Sequence, residues 1–177
     1  SNGSTSTNTW SSSRLNKTNL NTNFISNIGT TWANKIATHT WIVGGNTSAN
    51  IGTEVAPTVY KNEITSPATD TKYTAKIGLM YASDYGYSAS PSAWEITIDY
   101  YDDSSVTSAN WMYMGLLEWM ISPLTDSSVN ALYIFYNGDV GPIRVNGNDA
   151  VRPVFYLNNE VNYAGGSGTK ADPYRIA

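Results

Sequence analysis

Residues 130–139 read NALYIFYNGD. The first seven read as a strand, and Asn137-Gly138 is a strong hairpin signal. Within them both faces of residues 132–136, LYIFY, are apolar. A strand with one wet face alternates apolar and polar residues, and this one does not. Either it is buried on both sides, or one face exposes apolar side chains of the kind that mark a binding surface.

Beyond the turn, residues 140–149 read as loop, with Gly141-Pro142 and Asn146-Gly147-Asn148 as breakers. VRPVFYL, residues 151–157, reads as a strand whose Pro153 implies an edge position or a bulge. Residues 162–176 close as a hairpin around Gly165-Gly166-Ser167-Gly168, a turn without phosphate-loop spacing. Before residue 130, NWMYMGLLEWMI (110–121) is the most apolar stretch. It is too short for a membrane span and reads as buried strand pieces. KYTAKIGLMY (72–81) and HTWIV (39–43) read as strands, the second ended by Gly44-Gly45-Asn46. Residues 83–87 and 90–92 read as short turns, with Trp94 buried behind the second, and residues 55–64 are ambiguous. Leu15, Leu20, Phe24, Ile25, Ile28, Trp32 and Ile36 recur every three to five residues, the pattern of a core-facing amphipathic helix broken at Gly29. The expectation is a flexible lead over residues 1–9 and one α+β domain over 10–177, early helices followed by antiparallel strands with long loops.

Composition removes several classes of chemistry. The 177 residues hold no cysteine, which excludes disulfides, thiolate metal sites and a Cys nucleophile. One histidine, His39, excludes multi-His metal centres, and it is given no role. The net charge of -4, with few Lys/Arg clusters, argues against nucleic acid. Ser, Thr and Asn form roughly a third of the chain, against about a fifth on average. With 13 Tyr and 6 Trp, that composition fits an exported, aromatic-studded binding domain. No signal peptide is seen, so an exported chain is expected to have lost its signal or anchor.

The carboxylates Asp99, Asp102, Asp103 and Glu118 are the candidates for acid/base work. The first three lie in a polar loop read as solvated. Asp102 and Asp103 with the two serines that follow also offer the oxygens of a structural calcium, but in no EF-hand spacing. Glu118, between Leu117 and Trp119, reads as a buried carboxylate paired with Arg152.

Five motifs carry a family resemblance: WSSSRLN (10–16), KIGLMYASDY (76–85), NWMYMG (110–115), VRPVFYL (151–157) and GGSGTKADPY (165–174). In this order they resemble the uncharacterised DUF6273 domain of exported and phage-related proteins of gut bacteria, over nearly all of the chain after residue 10. That domain is similar to the C-type-lectin-like fold of the sulfatase-modifying, formylglycine-generating type. The resemblance implies the fold but not the activity, because the enzymes need cysteines that this chain lacks. The calcium lectins' Glu-Pro-Asn and Trp-Asn-Asp motifs are missing too, so calcium-dependent sugar binding is not implied. The same fold serves the variable proteins of diversity-generating retroelements, and residues 116–149 resemble such a variable region.

The resulting expectation is a non-enzymatic adhesin or receptor-binding domain on a bacterial surface, pilus or phage. It needs no cofactor, and its partner is a protein or glycan on another cell. Its binding face is expected at Leu117, Met120, Pro123, Leu124, Thr125, Val129, Leu132, Ile134, Tyr136, Pro142, Ile143, Arg144 and Asn146. The alternative is a structural, pilin-like or envelope subunit whose apolar loops pack against neighbours.

Overall fold

The computed structural model describes residues 7–67 and 71–177. Among the described residues the first elements are a 3-10 turn, Trp10–Ser12, and a widened π-helical run, Leu15–Phe24, that passes into the short helices α1 (Ile25–Asn27) and α2 (Gly29–Ala33). The five-residue step from Leu15 to Leu20 fits the wider turn, and the helix breaks at Ile28, beside the expected Gly29. Strand β1 (His39–Ile42) follows, then α3 (Ser48–Ile51), α4 (Ala56–Tyr60) and a widened turn, Lys61–Thr65. The ambiguous stretch 55–64 is therefore helical, with Pro57 in the first turn of α4, where its missing N–H costs nothing.

Strand β2 (Lys72–Ala75) pairs antiparallel with β1. The strand expected over 72–81 stops at Ala75; residues 77–81 run on in extended form, tied to Val154 through Gly78. Next come α5 (Ala82–Tyr87), 3-10 turns at Pro91–Ala93 and Ile98–Tyr100, and α6 (Ser104–Ala109). Trp94 is only partly buried. The main sheet comprises β3 (Glu118–Pro123), β4 (Asn130–Ile134), β5 (Val140–Arg144) and β6 (Ala150–Val151), in the order β5-β4-β3-β6. A terminal hairpin, β7 (Tyr163–Gly165) with β8 (Arg175–Ile176), closes the chain. The mixed α+β architecture with antiparallel sheets is as expected. Residues 140–144, expected as loop, form the edge strand β5, and the strand expected over 151–157 is reduced to Val151 and isolated bridges at Val154 and Leu157.

The main sheet is the middle layer. Met120, Leu124, Leu132, Ile134 and Val140 pack on one side with Val59, Tyr85, Ile98, Tyr101 and Val106. Trp119, Ile121, Ala131 and Tyr133 pack on the other with Trp10, Leu20, Trp41, Ile77 and Leu79. The apolar run of β4 is thus buried on both sides, which resolves the alternative left by its pattern. The flexible lead expected over residues 1–9 is described only from Thr7 onward. Within that part Asn8 is fastened to the β3–β4 connection. Its side-chain amide donates to the carbonyls of Leu124, Ser127 and Asn130 at 3.1, 2.6 and 2.8 Å.

Candidate functional site

The expected binding face divides. Met120, Leu124, Leu132 and Ile134 are core residues, at most 3% exposed, and are corrected to structural roles. Pro123, Val129 and Ile143 are half-buried. Leu117, Thr125, Tyr136, Pro142, Arg144 and Asn146 remain exposed, but they do not converge. Tyr136 lies past one end of β4, whereas Arg144 pairs with Asn130 at the other end, and the two ends of the strand are themselves about 13 Å apart at strand rise. Strand alternation between two packed faces takes half of the segment into the core and leaves the rest dispersed.

A different set of side chains does converge, around a cleft of about 580 Å³. Its walls come from α5, from the loop after α6 and from the segment after β6. Asp84, Tyr87, Trp111, Arg152, Phe155 and Tyr156 supply its chemistry. Helix α5 is fixed at its start by Glu63, which is fully buried in the widened turn 61–65. The Ala82 and Ser83 N–H groups donate to the Glu63 carboxylate at 3.2 and 3.0 Å, and the Ser122 hydroxyl does so at 2.6 Å. Burial pushes the Glu63 carboxyl up, and these donors pull it back. Asp84 Oδ2 accepts from Tyr81 N–H at 2.9 Å, closing the first turn of α5.

The Trp111 loop is held from inside by Asn110, which is 4% exposed. Its amide donates to the Tyr85 carbonyl at 3.1 Å, its Oδ1 accepts from Met112 N–H at 3.0 Å, and Ser88 Oγ contacts that same Oδ1. Trp111 N–H donates to the Ser88 carbonyl at 3.3 Å. These bonds leave the indole ring pointing away from the core and 79% exposed. Buried strand pieces were expected over 110–121, and they are found from Glu118 onward, in β3, but not over 110–117. Instead the loop exposes Trp111, Met114, Leu116 and Leu117, because Asn110 takes up backbone groups that a strand would have paired.

The third wall is pinned by Gly78 and Val154, which exchange backbone bonds of 2.9 and 3.0 Å. Tyr156 stacks on His39 with ring centroids 4.1 Å apart, and burial followed by the Asp84 carboxylate pushes its phenol up. Arg152 Nη2 donates to Glu118 Oε2 at 2.8 Å and to the Met112 carbonyl at 2.9 Å. The pairing of Glu118 with Arg152 is therefore as expected; burial raises the Glu118 pKa and Arg152 lowers it.

Asp99, Asp102 and Asp103 stay apart from this cleft. Asp103 Oδ1 accepts from Ser105 N–H at 2.7 Å as the cap of α6; the Ser105 hydroxyl first, and this N–H second, pull its carboxyl below the usual range. Asp102 N–H donates to Asp139 Oδ1 at 3.0 Å. Among the described residues no group of three or more His, Cys, Asp or Glu is placed to hold a metal ion. No helix among them is long and apolar enough to cross a membrane.

Sequence reasoning passed over Tyr87, Trp111, Phe155 and Tyr156 as site residues. A usable signal was present. Phe155 and Tyr156 are adjacent, so an extended segment cannot bury both rings against one core face. No protein-family model, curated protein or solved structure matches the chain.

Proposed function

We propose that this chain is a non-enzymatic recognition domain of C-type-lectin-like kind, related to the DUF6273 domain and displayed on a bacterial surface, pilus or phage particle. Its ligand is a protein or glycan on another cell. The observation that carries the reading is Trp111: a large aromatic ring held 79% exposed by a buried polar network, on the rim of an aromatic cleft. Aromatic rings on rigid supports are typical anchors of recognition surfaces. Early helices, a late and mainly antiparallel sheet and long irregular excursions between them support the fold assignment.

Diversification by a retroelement belongs to the same proposal, narrowed by burial. Only Leu117, Thr125, Tyr136, Pro142, Arg144 and Asn146 within residues 116–149 combine exposure with a place in the expected face. Sibling sequences are expected to vary at these six positions and to keep Met120, Leu132 and Ile134. Equal variation at both sets overturns it. The recognition reading is tested by binding of the labelled chain to arrays of surface glycans and surface proteins. Saturable binding that Trp111→Ala removes is expected; no binding, or binding untouched by Trp111→Ala with the fold intact, refutes it.

The exposed apolar ridge of Trp111, Met114, Leu116 and Leu117 favours one second reading, a structural subunit packing against neighbours. Solution mass separates the two. A stable oligomer that dissociates on Met114→Ser with Leu116→Ser supports the subunit, and a monomer supports recognition.

A further inference from the structure

We infer that the aromatic cleft takes an organic ammonium group, best a quaternary one such as the trimethylammonium of choline. The inference rests on the recognition reading above and names the chemistry of its ligand. Of the residues lining the cleft, only Asp84 and Arg152 carry charge. The Arg152 guanidinium is already matched by Glu118 at 2.8 Å. Counting the buried Glu118 behind Arg152 as its counter-ion, the Asp84 carboxylate is the charge left without one, and burial pushes its carboxyl up. Oδ2 of Asp84 is engaged by the Tyr81 amide, which orients the group without neutralising it. The rings of Tyr87, Trp111, Phe155 and Tyr156 line the same cleft, each between 37% and 79% exposed. Tyr156 is near enough for the carboxylate to raise its phenol pKa.

Aromatic faces present negative potential to a cation, and Trp does so best. A carboxylate with several such rings selects a soft, weakly hydrated cation over a hydrated metal ion, because the rings contact methyl groups that water does not hold. A neutral apolar ligand would meet the same rings but leave the carboxylate without a counter-charge. An anion would meet a repelling site. The overall charge of -4 favours the approach of cations as well.

The test is titration of the full chain with choline chloride, followed by Trp fluorescence and calorimetry at constant ionic strength set with sodium chloride. The neutral isostere 3,3-dimethyl-1-butanol is titrated in parallel. Saturable choline binding is expected, with the isostere weaker by roughly tenfold or more. Asp84→Asn keeps an acceptor for Tyr81 N–H and removes only the charge. It and Trp111→Ala are each expected to weaken choline by roughly tenfold, with the circular dichroism spectrum unchanged. Equal binding of choline and its isostere, or no saturable binding by choline, overturns the inference. So does choline binding unaffected by Asp84→Asn. The comparison of the two ligands on the wild-type chain stands even if a variant fails to fold. Array binding without choline binding leaves recognition standing and removes only the ammonium ligand.

Discussion

Glu63 shows most plainly what one buried residue does here. A fully buried carboxylate costs free energy unless donors surround it, and Glu63 has two backbone amides and a hydroxyl. Its pKa is raised in the fold, so the folded state binds the proton more tightly than the unfolded chain. The associated stability is fully present below the ordinary value of 4.5 and is lost as pH rises through the higher folded value. Glu54 and Glu118 shift in the same direction. Below pH 6.5, His39, lowered by burial, acts in the opposite sense. The diagnostic quantity is therefore the difference between wild type and Glu63→Gln. The variant is expected to lose about 2 kcal/mol and to show a flatter dependence of Tm on pH above 4.5. Thermal unfolding across that range checks both. Two of the three Asn-Gly pairs, those at Asn137 and Asn146, diverge for an equally local reason. Asn137 is clamped by Asp139, its amide donating to Oδ2 at 2.7 Å, whereas Asn146 has an exposed side chain and is followed by Gly147 beneath the Asp149 carboxylate. On incubation at pH 8, Asn146 is expected to cyclise onto the Gly147 nitrogen, release ammonia and hydrolyse to Asp and isoAsp, while Asn137 persists. Peptide mass spectrometry reads the difference, and equal conversion at both sites contradicts it.

Whole elements follow their sequence signals where local chemistry decides, and depart where neighbours decide. The β4–β5 hairpin was legible because Asn137-Gly138 needs the left-handed backbone that Gly138 adopts, with φ at 106°. A Cβ there would also lie 2.7 Å from Thr107 Cγ2 and 2.9 Å from the Tyr101 carbonyl. Gly138→Ala is expected to cost about 3 kcal/mol, measured by urea unfolding, from strain and collision together. Strand β5 was not legible, since Gly141-Pro142 reads as a breaker. The sheet tolerates Pro142 because β5 is an edge strand, where a missing N–H leaves no partner unpaired. Helix α4 was obscured for a related reason, as a proline in the first helical turn looks like a breaker until the helix around it is seen. The parallel pairing of β6 with β3, Glu118 against Ala150, joins residues some thirty apart and has no local signature.

The molecule as a whole is organised by a sheet covered on both faces. Leu132, at the centre of β4 and fully buried, is expected to lose about 2–5 kcal/mol on Leu132→Ala. Tyr136, two residues past the end of the same strand and 68% exposed, is expected to change by less than about 0.5 kcal/mol on Tyr136→Ala. Denaturant midpoints of the two variants test the layer assignment directly; equal losses contradict it. The sequence by itself determined the α+β class, the hairpin at Asn137-Gly138, the helical start and the exclusion of cysteine and multi-histidine chemistry. These follow from residue identity and short-range periodicity. Only the tertiary structure decided which apolar residues are core and which are surface. Period-two patterning loses its meaning once both faces of a strand are covered, so β4 alone could not say whether its aromatics bind or pack. The same holds for the cleft. Asp84, Trp111 and Tyr156 lie far apart along the chain, and they meet because Asn110, Glu63 and the Gly78–Val154 bridge hold three separate segments against one another.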